Sequence, residues 1–281
     1  MKRIFLLGDP LGHSLSPAMQ NAALRASRLD WQYELLETPR DRLGDAVARL
    51  RADDCAGANV TIPYKEAVLG WLDGLSENAR QMGAVNTIIK REGKLIGENT
   101  DGYGFMQSLR DARIDGRGAR VVILGAGGAA RAVAFALAAA GAARITLVNR
   151  TAARAATLAD ALRQDYPNLA LAVNRYAALD DATLIVNATP LGMSPREDAS
   201  PMPTAFPRGA VAFDLVCRPL QTPFRRDAER AGARTMGGIE MLVHQGAAAF
   251  KLWTGRDAPV DVMVEAAEAA LRETEHTIQN P

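Results

Sequence analysis

The chain has 281 residues, of which 48% are hydrophobic and 23% charged, a composition typical of a globular protein with room for two domains. Its formal net charge is +1, from 33 basic and 32 acidic residues with no dense basic block, so neither nucleic acid nor an anionic membrane is expected as a partner. Two cysteines and three scattered histidines predict neither a disulfide framework nor a metal site.

The N-terminal apolar run is short. It covers residues 4–7 and stops at Gly8, Asp9 and Pro10. Such a run is too short for a signal peptide or a membrane span. We therefore expect a cytoplasmic protein.

Strand and helix patterns alternate over the first hundred residues. Strands are predicted at residues 3–7, 32–37 and 58–62, and helices at 17–28 and 42–51. This βαβ alternation indicates a parallel sheet. Residues 88–96 predict a short hairpin, and a helix follows residues 99–102 as far as about residue 113.

A glycine-rich turn then follows an apolar strand predicted at residues 121–124, and it precedes a small-residue helix at 132–140. Gly125 supplies the tight turn, and Gly127 lets the backbone approach a pyrophosphate beside the free N–H groups of the helix. The strand, turn and helix together predict a dinucleotide-binding unit. Its pyrophosphate contacts are predicted at Gly125, Ala126, Gly127, Gly128 and Ala129.

The end of the next predicted strand, at residues 144–148, decides the cofactor. An NAD site would carry Asp or Glu there, but this chain carries Asn149, Arg150 and Thr151, with Arg154 one helical turn beyond. A guanidinium binds a 2′-phosphate that a carboxylate would repel, so these four residues predict NADP. The alternative is that Thr151 caps a helix and the arginines are merely solvated.

The remaining patterns predict further strands and two closing helices. The strands are predicted at residues 169–173, 184–187, 211–216 and 233–236, and the helices at 239–253 and 260–275.

Eight short motifs occur in an order that resembles the shikimate dehydrogenase family. They lie at residues 12–17, 57–65, 83–87, 99–102, 125–128, 149–151, 187–189 and 241–247. The resemblance implies a two-domain α/β fold, in which residues 1–101 and 238–281 form a substrate domain and residues 102–237 form a Rossmann-like NADP domain. It also implies an active site in the cleft and reversible NADPH-dependent reduction of 3-dehydroshikimate to shikimate, on the route to chorismate and the aromatic amino acids.

The resemblance further implies a set of substrate-binding residues: Ser14, Ser16, Asn59, Thr61, Lys65, Asn86, Asp101 and Gln245. Several have simpler explanations. Ser16, before Pro17, and Asp101 could each cap a helix, Asn86 could be a turn residue, and Lys65 could be a solvated residue opening a helix after Pro63. Gln245 is harder to explain otherwise, since a glutamine buried in an apolar helix usually bonds to something.

Lys65 and Asp101 are the implied catalytic residues. A lysine is ordinarily protonated, so it supplies both a positive charge and a proton to the alkoxide that develops during ketone reduction. Asp101 would orient it, and in the oxidative direction an unprotonated Lys65, or the pair together, takes the proton. Asn187, Thr189 and Gly238 are predicted beside the ribose or the nicotinamide, although Gly238 could simply end a strand.

One position departs from the family pattern. Cys217 stands where relatives usually carry a tyrosine that helps to line the substrate site. A quinate/shikimate dehydrogenase therefore remains an alternative, as does an NADP-binding regulatory protein without turnover. The sequence allows a monomer or a homodimer.

Overall fold

The computed structural model describes residues 1–12 and 14–279, with side chains through residue 273, and it forms two compact units. Unit 1 comprises residues 1–104 together with the chain from residue 242 onward, and unit 2 comprises residues 105–241. Both boundaries fall a few residues beyond those expected from the sequence. His13, which belongs to the first motif, lies outside the described residues.

The strands and helices alternate along most of the chain. The strands are β1 (Lys2–Gly8), β2 (Trp31–Glu37), β3 (Cys55–Val60), β4 (Gly74–Leu75), β5 (Thr87–Arg91), β6 (Lys94–Glu98), β7 (Arg120–Leu124), β8 (Arg144–Val148), β9 (Ala170–Val173), β10 (Leu184–Asn187), β11 (Val211–Asp214) and β12 (Arg234–Met236). The helices are α1 (Ser16–Ala26), α2 (Leu43–Arg49), α3 (Glu77–Met82), α4 (Asp101–Asp111), α5 (Gly128–Ala139), α6 (Ala152–Asp165), α7 (Pro223–Arg230), α8 (Gly238–Thr254) and α9 (Val260–Gln279).

Unit 1 contains a mixed six-stranded sheet in the order β2-β1-β3-β5-β6-β4. The predicted βαβ pattern is confirmed, because β1 pairs in parallel with both β2 and β3. The hairpin of β5 and β6 is also confirmed, and β3 pairs with β5 in antiparallel fashion. Phe5, Leu7, Val60 and Ile88 bury their side chains together with those of α2 in the core on one face of this sheet.

Gly57 allows β3, β5 and α8 to meet closely. A Cβ atom there would lie 2.4 Å from the carbonyl oxygen of Ile88 and 2.6 Å from Nε1 of Trp253. The same indole nitrogen donates a 3.0 Å hydrogen bond to the Ile88 carbonyl. A side chain at residue 57 would therefore separate the strand that carries Asn59, the strand that Asn86 precedes and the helix that carries Gln245.

Unit 2 contains six parallel strands in the order β12-β11-β10-β7-β8-β9. The chain reverses its direction of winding at β7, which lies between β8 and β10, and nucleotides bind at such a point outside the carboxyl ends of the strands. Val122, Leu124, Ile185 and Phe224 are part of its core. None of the described helices is long and apolar enough to cross a membrane.

Some elements differ from their predicted extent. β3 ends at Val60 rather than at residue 62, since Pro63 has no N–H group with which to continue the ladder. β11 ends at Asp214 rather than at residue 216, since the side chain of Asp214 binds the N–H of Val216 in the following loop. α5 begins at Gly128 rather than at residue 132. No residue range was predicted for α3, α6 or α7.

A buried carboxylate joins the carboxyl ends of β10 and β11 to the start of α7. Oδ1 of Asp214 accepts hydrogen bonds from Nδ2 of Asn187 at 2.8 Å and from the backbone N–H of Val216 at 3.1 Å. Oδ2 accepts from Oγ1 of Thr222 at 2.5 Å. Thr222 also caps α7 by accepting from the N–H of Arg225 at 3.2 Å. Burial raises the pKa of Asp214, and the three donors oppose that rise.

Replacing Thr222 by valine should therefore destabilise unit 2. The substitution removes a helix cap and one donor to a buried anion, which together are worth about 2–4 kcal/mol. In the parent, the hydrogen bond from Thr222 lowers the pKa of Asp214. The valine variant lacks this hydrogen bond, so its native carboxyl has a higher pKa than that of the parent. The stability difference should be largest at neutral pH and should shrink as the pH falls toward the pKa of Asp214.

Urea unfolding followed by far-UV circular dichroism measures this difference, since all three tryptophans lie in unit 1 and do not report on unit 2. Thr222→Ser keeps the hydroxyl and should retain most of the stability. A valine variant as stable as the parent, with stability lost only in the serine variant, would show that the methyl group matters and the hydroxyl does not.

Candidate functional site

Lys65 and Asp101 form an ion pair in unit 1. Nζ of Lys65 lies 2.5 Å from Oδ2 of Asp101, and the two side chains are 15% and 5% exposed. The backbone carbonyl of Lys65 accepts the N–H of Val85 at 2.7 Å. That carbonyl is therefore not used in an α-helical turn, and the prediction that Lys65 opens a helix is wrong. It lies in a turn before a short 3₁₀ helix at Ala67–Trp71.

Asp101 does not cap the helix that it begins. Its second oxygen, Oδ1, accepts a hydrogen bond from Nδ2 of Asn86 at 2.7 Å, so both carboxylate oxygens are bound to other side chains. Its backbone N–H donates to Oδ1 of Asn99 at 3.0 Å. Asn99, which the sequence analysis noted only within a motif, therefore stabilises this helix start.

Asn86 lies at the centre of the site and not in an exposed turn. Its Oδ1 accepts from Oγ1 of Thr87 at 2.9 Å and from the N–H of Thr100 at 2.8 Å. Its Nδ2 faces Asp101, Oγ1 of Thr100 at 2.9 Å and Oε1 of Gln245 at 3.2 Å. This buried amide therefore positions Asp101 and Gln245 relative to each other.

Asn59 is buried and is bound within the protein. Its Oδ1 accepts from the hydroxyl of Tyr33 at 2.8 Å, and its Nδ2 donates to the Asn86 carbonyl at 3.0 Å and to Oγ1 of Thr87 at 3.1 Å. Burial raises the pKa of Tyr33, and the Ser16 hydroxyl beside it offsets this only in part. Tyr33 is thus a neutral donor. Neither Tyr33 nor Thr87 was predicted, because ordinary strand positions carry no sequence signal for such a role.

Neither of the two serines near the start of α1 occupies its N-cap position. Leu15 occupies the N-cap position, so Ser16 is not the cap. Oγ of Ser14 instead accepts the N–H of Ser16, at 3.3 Å, which gives Ser14 a structural role as well. Thr61 follows the end of β3 and donates its N–H to the Leu7 carbonyl.

Unit 1 thus brings a protonatable amine, a carboxylate and two amides into one continuous set of hydrogen bonds. Nζ of Lys65 has three donors, of which one is directed to Asp101. Such a group can stabilise an oxyanion and deliver a proton to it. Among the described side chains, no three of His, Cys, Asp or Glu come together as metal ligands.

The predicted pyrophosphate turn lies between β7 and α5 in unit 2. Gly127 is the N-cap residue, and a Cβ atom there would meet nothing within 4 Å. Gly125 has φ +121°, and a Cβ atom there would lie 2.7 Å from the Ala188 carbonyl. Ala130 is fully buried. The open space at Gly127, beside the uncapped N-terminus of a helix, fits a bound pyrophosphate.

The chain after β8 fits a 2′-phosphate. Arg150, Thr151 and Arg154 are all exposed, and no ion pair of Arg150 occurs in the described part of the chain. Thr151 occupies the N-cap position of α6, but its side chain makes no capping hydrogen bond. A capping hydrogen bond therefore does not explain why residue 151 is a threonine.

Asn187 and Thr189 shape the loop after β10. Oδ1 of Asn187 accepts from the N–H and the hydroxyl of Thr189, and its Nδ2 donates to the Leu191 carbonyl at 3.1 Å. Gly238 begins α8 rather than ending a strand. A Cβ atom there would lie 2.5 Å from the Leu215 carbonyl and 3.0 Å from Sγ of Cys217.

Comparisons with known proteins cover both units. Residues 6–88 match the shikimate dehydrogenase substrate binding domain, residues 109–197 match shikimate / quinate 5-dehydrogenase, and residues 238–268 match the shikimate 5′-dehydrogenase C-terminal domain.

Whole-length relatives give the same result. The chain is 48% identical to a shikimate dehydrogenase (NADP(+)) from Symbiobacterium thermophilum, over 95% of this chain and 93% of the relative. It is also 48% identical to one from Moorella thermoacetica, over 92% and 90%. The shikimate 5-dehydrogenase from Thermus thermophilus, solved in complex with NADP(H) and shikimate, has a TM-score of 0.88 and 42% identity, over 96% of this chain and all of that one. The chain belongs to the shikimate dehydrogenase family.

Proposed function

We propose that this chain catalyses the reversible NADPH-dependent reduction of 3-dehydroshikimate to shikimate. The observation that carries the proposal is the Lys65–Asp101 pair, because it presents a proton donor held by a carboxylate that an amide holds in turn. We assign substrate binding to unit 1 and NADP binding to unit 2, in keeping with the family domains that match each of them.

Ser14, Ser16 and Thr61 are assigned to the carboxylate and the ring of the substrate, beside Lys65. The two serines follow β1, whereas Thr61 and Lys65 follow β3, and these strands are parallel neighbours in the sheet of unit 1. Asn59, Asn86 and Gln245 are assigned to the substrate hydroxyl groups by the family resemblance, and the hydrogen bonds of their amides within the protein support a further role in fixing the site. Asp101 accepts from a substrate hydroxyl through the lone pairs that Lys65 and Asn86 leave available.

The chemistry requires a hydride, a proton and stabilisation of negative charge. Bound NADPH supplies the hydride to the carbonyl carbon. The ammonium of Lys65 donates a hydrogen bond to the carbonyl oxygen, stabilises the alkoxide as it develops and then transfers a proton to it. Asp101 holds Nζ in place throughout, and Asn86 holds Asp101.

The cofactor assignment depends on the turns after β7 and β8. Gly125, Ala126, Gly127, Gly128 and Ala129 would hold the pyrophosphate. Asn149, Arg150, Thr151 and Arg154 would hold the adenosine ribose with its 2′-phosphate, and Asn187, Thr189 and Gly238 would lie toward the nicotinamide. The exposed guanidinium of Arg150 and the open space at Gly127 support this assignment.

Removing the amine at residue 65 should abolish most of the turnover. Lys65→Ala should lower kcat by roughly 10²-fold or more, the scale of general acid catalysis, with a smaller effect on KM. Steady-state assays at several pH values measure both constants. Lys94→Ala, which removes an exposed lysine of the same unit, is the control. Near-parental kcat in Lys65→Ala across the pH range would remove Lys65 from the mechanism.

Removing the guanidinium at residue 150 should weaken the binding of NADPH but not that of NADH, which has no 2′-phosphate. A charge-assisted contact corresponds to roughly 10-fold to 150-fold in affinity. Direct titration of both cofactors measures this, with Arg163→Ala, an exposed arginine of α6, as the control. Equal losses for NADPH and NADH would instead indicate a structural role for Arg150.

A second substrate is favoured by one observation, since Cys217 supplies a small thiol where relatives usually carry a tyrosine. The family model that matches residues 109–197 includes quinate as well as shikimate dehydrogenases. If shikimate is the substrate, Cys217→Tyr should restore a hydrogen bond and raise kcat/KM for shikimate by roughly 2-fold to 12-fold. The kcat/KM for quinate should not improve.

Cys217→Phe fills the same volume without a hydroxyl and should not give that gain. Parallel assays on shikimate and quinate compare the three proteins. A parent enzyme that prefers quinate, combined with a strong loss of shikimate turnover in Cys217→Tyr, would favour a quinate dehydrogenase. Absence of turnover with either acid in the parent would favour a regulatory NADP-binding protein.

A further inference from the structure

Asn174 extends the pairing of β8 and β9 with its side chain. The two strands pair in parallel as far as Leu147 and Val173, and the N–H of Asn174 donates to the Leu147 carbonyl at 2.9 Å. Beyond that point, Oδ1 of Asn174 accepts the N–H of Asn149 at 2.9 Å, and its Nδ2 donates to the Asn149 carbonyl at 3.2 Å. One side-chain amide thus binds both backbone polar groups of Asn149.

The residue type suits this contact closely. Asn174 has φ +49°, a left-handed conformation that asparagine tolerates better than most residues. Its amide offers a donor and an acceptor side by side. Glycine would allow the conformation without the contact, and an ionised aspartate would lack the donor.

The contact continues into the predicted cofactor turn. Nδ2 of Asn149 donates to the Thr151 carbonyl at 2.9 Å, and the same carbonyl accepts the N–H of Arg154 at 3.1 Å, at the start of α6. Arg150 therefore lies between two residues whose backbone is held by hydrogen bonds, while its own side chain is exposed.

We propose that Asn174 is a positioning residue for cofactor selectivity, which holds the turn at residues 149–151 so that the Arg150 guanidinium is preorganised for a 2′-phosphate. The inference rests on the proposed use of NADP. A turn that must be ordered upon binding loses affinity, whereas a turn that is already ordered does not. Since the 2′-phosphate is present only in NADPH, the benefit of a preorganised Arg150 guanidinium falls on NADPH alone.

Asn174→Ala should therefore raise KM for NADPH by roughly 2-fold to 12-fold, the scale of one neutral hydrogen bond, while KM for NADH and kcat at saturating NADPH stay unchanged. Asn174→Gly relieves the backbone strain without restoring the amide, so it should show the same selective loss, and it also serves if the alanine variant folds poorly. Asn168→Ala removes an exposed asparagine six residues away and is the control.

The double variant Arg150→Ala/Asn174→Ala tests whether Asn174 acts through Arg150. If it does, the loss in NADPH affinity should be no larger than that of Arg150→Ala alone. Equal losses for NADPH and NADH in Asn174→Gly, or full additivity in the double variant, would overturn the inference. If Arg150→Ala weakens NADPH selectively while Asn174→Ala leaves both cofactors unaffected, this inference alone is overturned. If the parent shows no preference for NADPH, the cofactor assignment is overturned together with it.

Discussion

Each unit buries one carboxylate, and a buried anion has to be held by hydrogen-bond donors. Among the described side chains, Asp101 and Asp214 are the acidic residues classed with the buried interior, at 3% and 0% exposure. An unpaired charge in that position would cost several kcal/mol. An asparagine amide donates to each of them, from Asn86 in unit 1 and from Asn187 in unit 2. The positions of both asparagines follow from this requirement.

Asparagine suits this task because it is neutral and carries a donor and an acceptor on one rigid group. While Nδ2 of Asn86 binds Asp101, its Oδ1 accepts from Thr100 at the start of α4. Asn187 similarly combines the contact to Asp214 with acceptance from Thr189. One side chain therefore fixes a carboxylate and the segment beside it, which a charged residue could not do without a further partner.

The sequence predicted the strands better than the site. The buried parallel strands of unit 2 appear as apolar runs such as residues 121–124, and these were predicted closely. α6 appeared only as a helix that Thr151 could cap, without a predicted range, although Ala155, Leu158 and Leu162 follow a helical period that was readable in the sequence. The Lys65–Asp101 pair spans 36 residues, and only the family resemblance brought the two together in advance. The contacts of Tyr33 and Asn174 had no such guide, because they depend on strand register.

Within each unit, the candidate polar side chains differ in how many of their hydrogen bonds are already made inside the protein. Asn59, Asn86 and Asn187 have both ends of the amide engaged inside the protein, so they can hold a geometry but have little capacity left for a ligand. Lys65 keeps two donors, and Arg150 remains exposed. A group with unused donors can bind a developing or fixed negative charge without breaking hydrogen bonds inside the protein. Asn86 holds Asp101, which holds Lys65, and Asn174 holds the turn that carries Arg150, so little reorganisation of either donor is needed when a ligand binds.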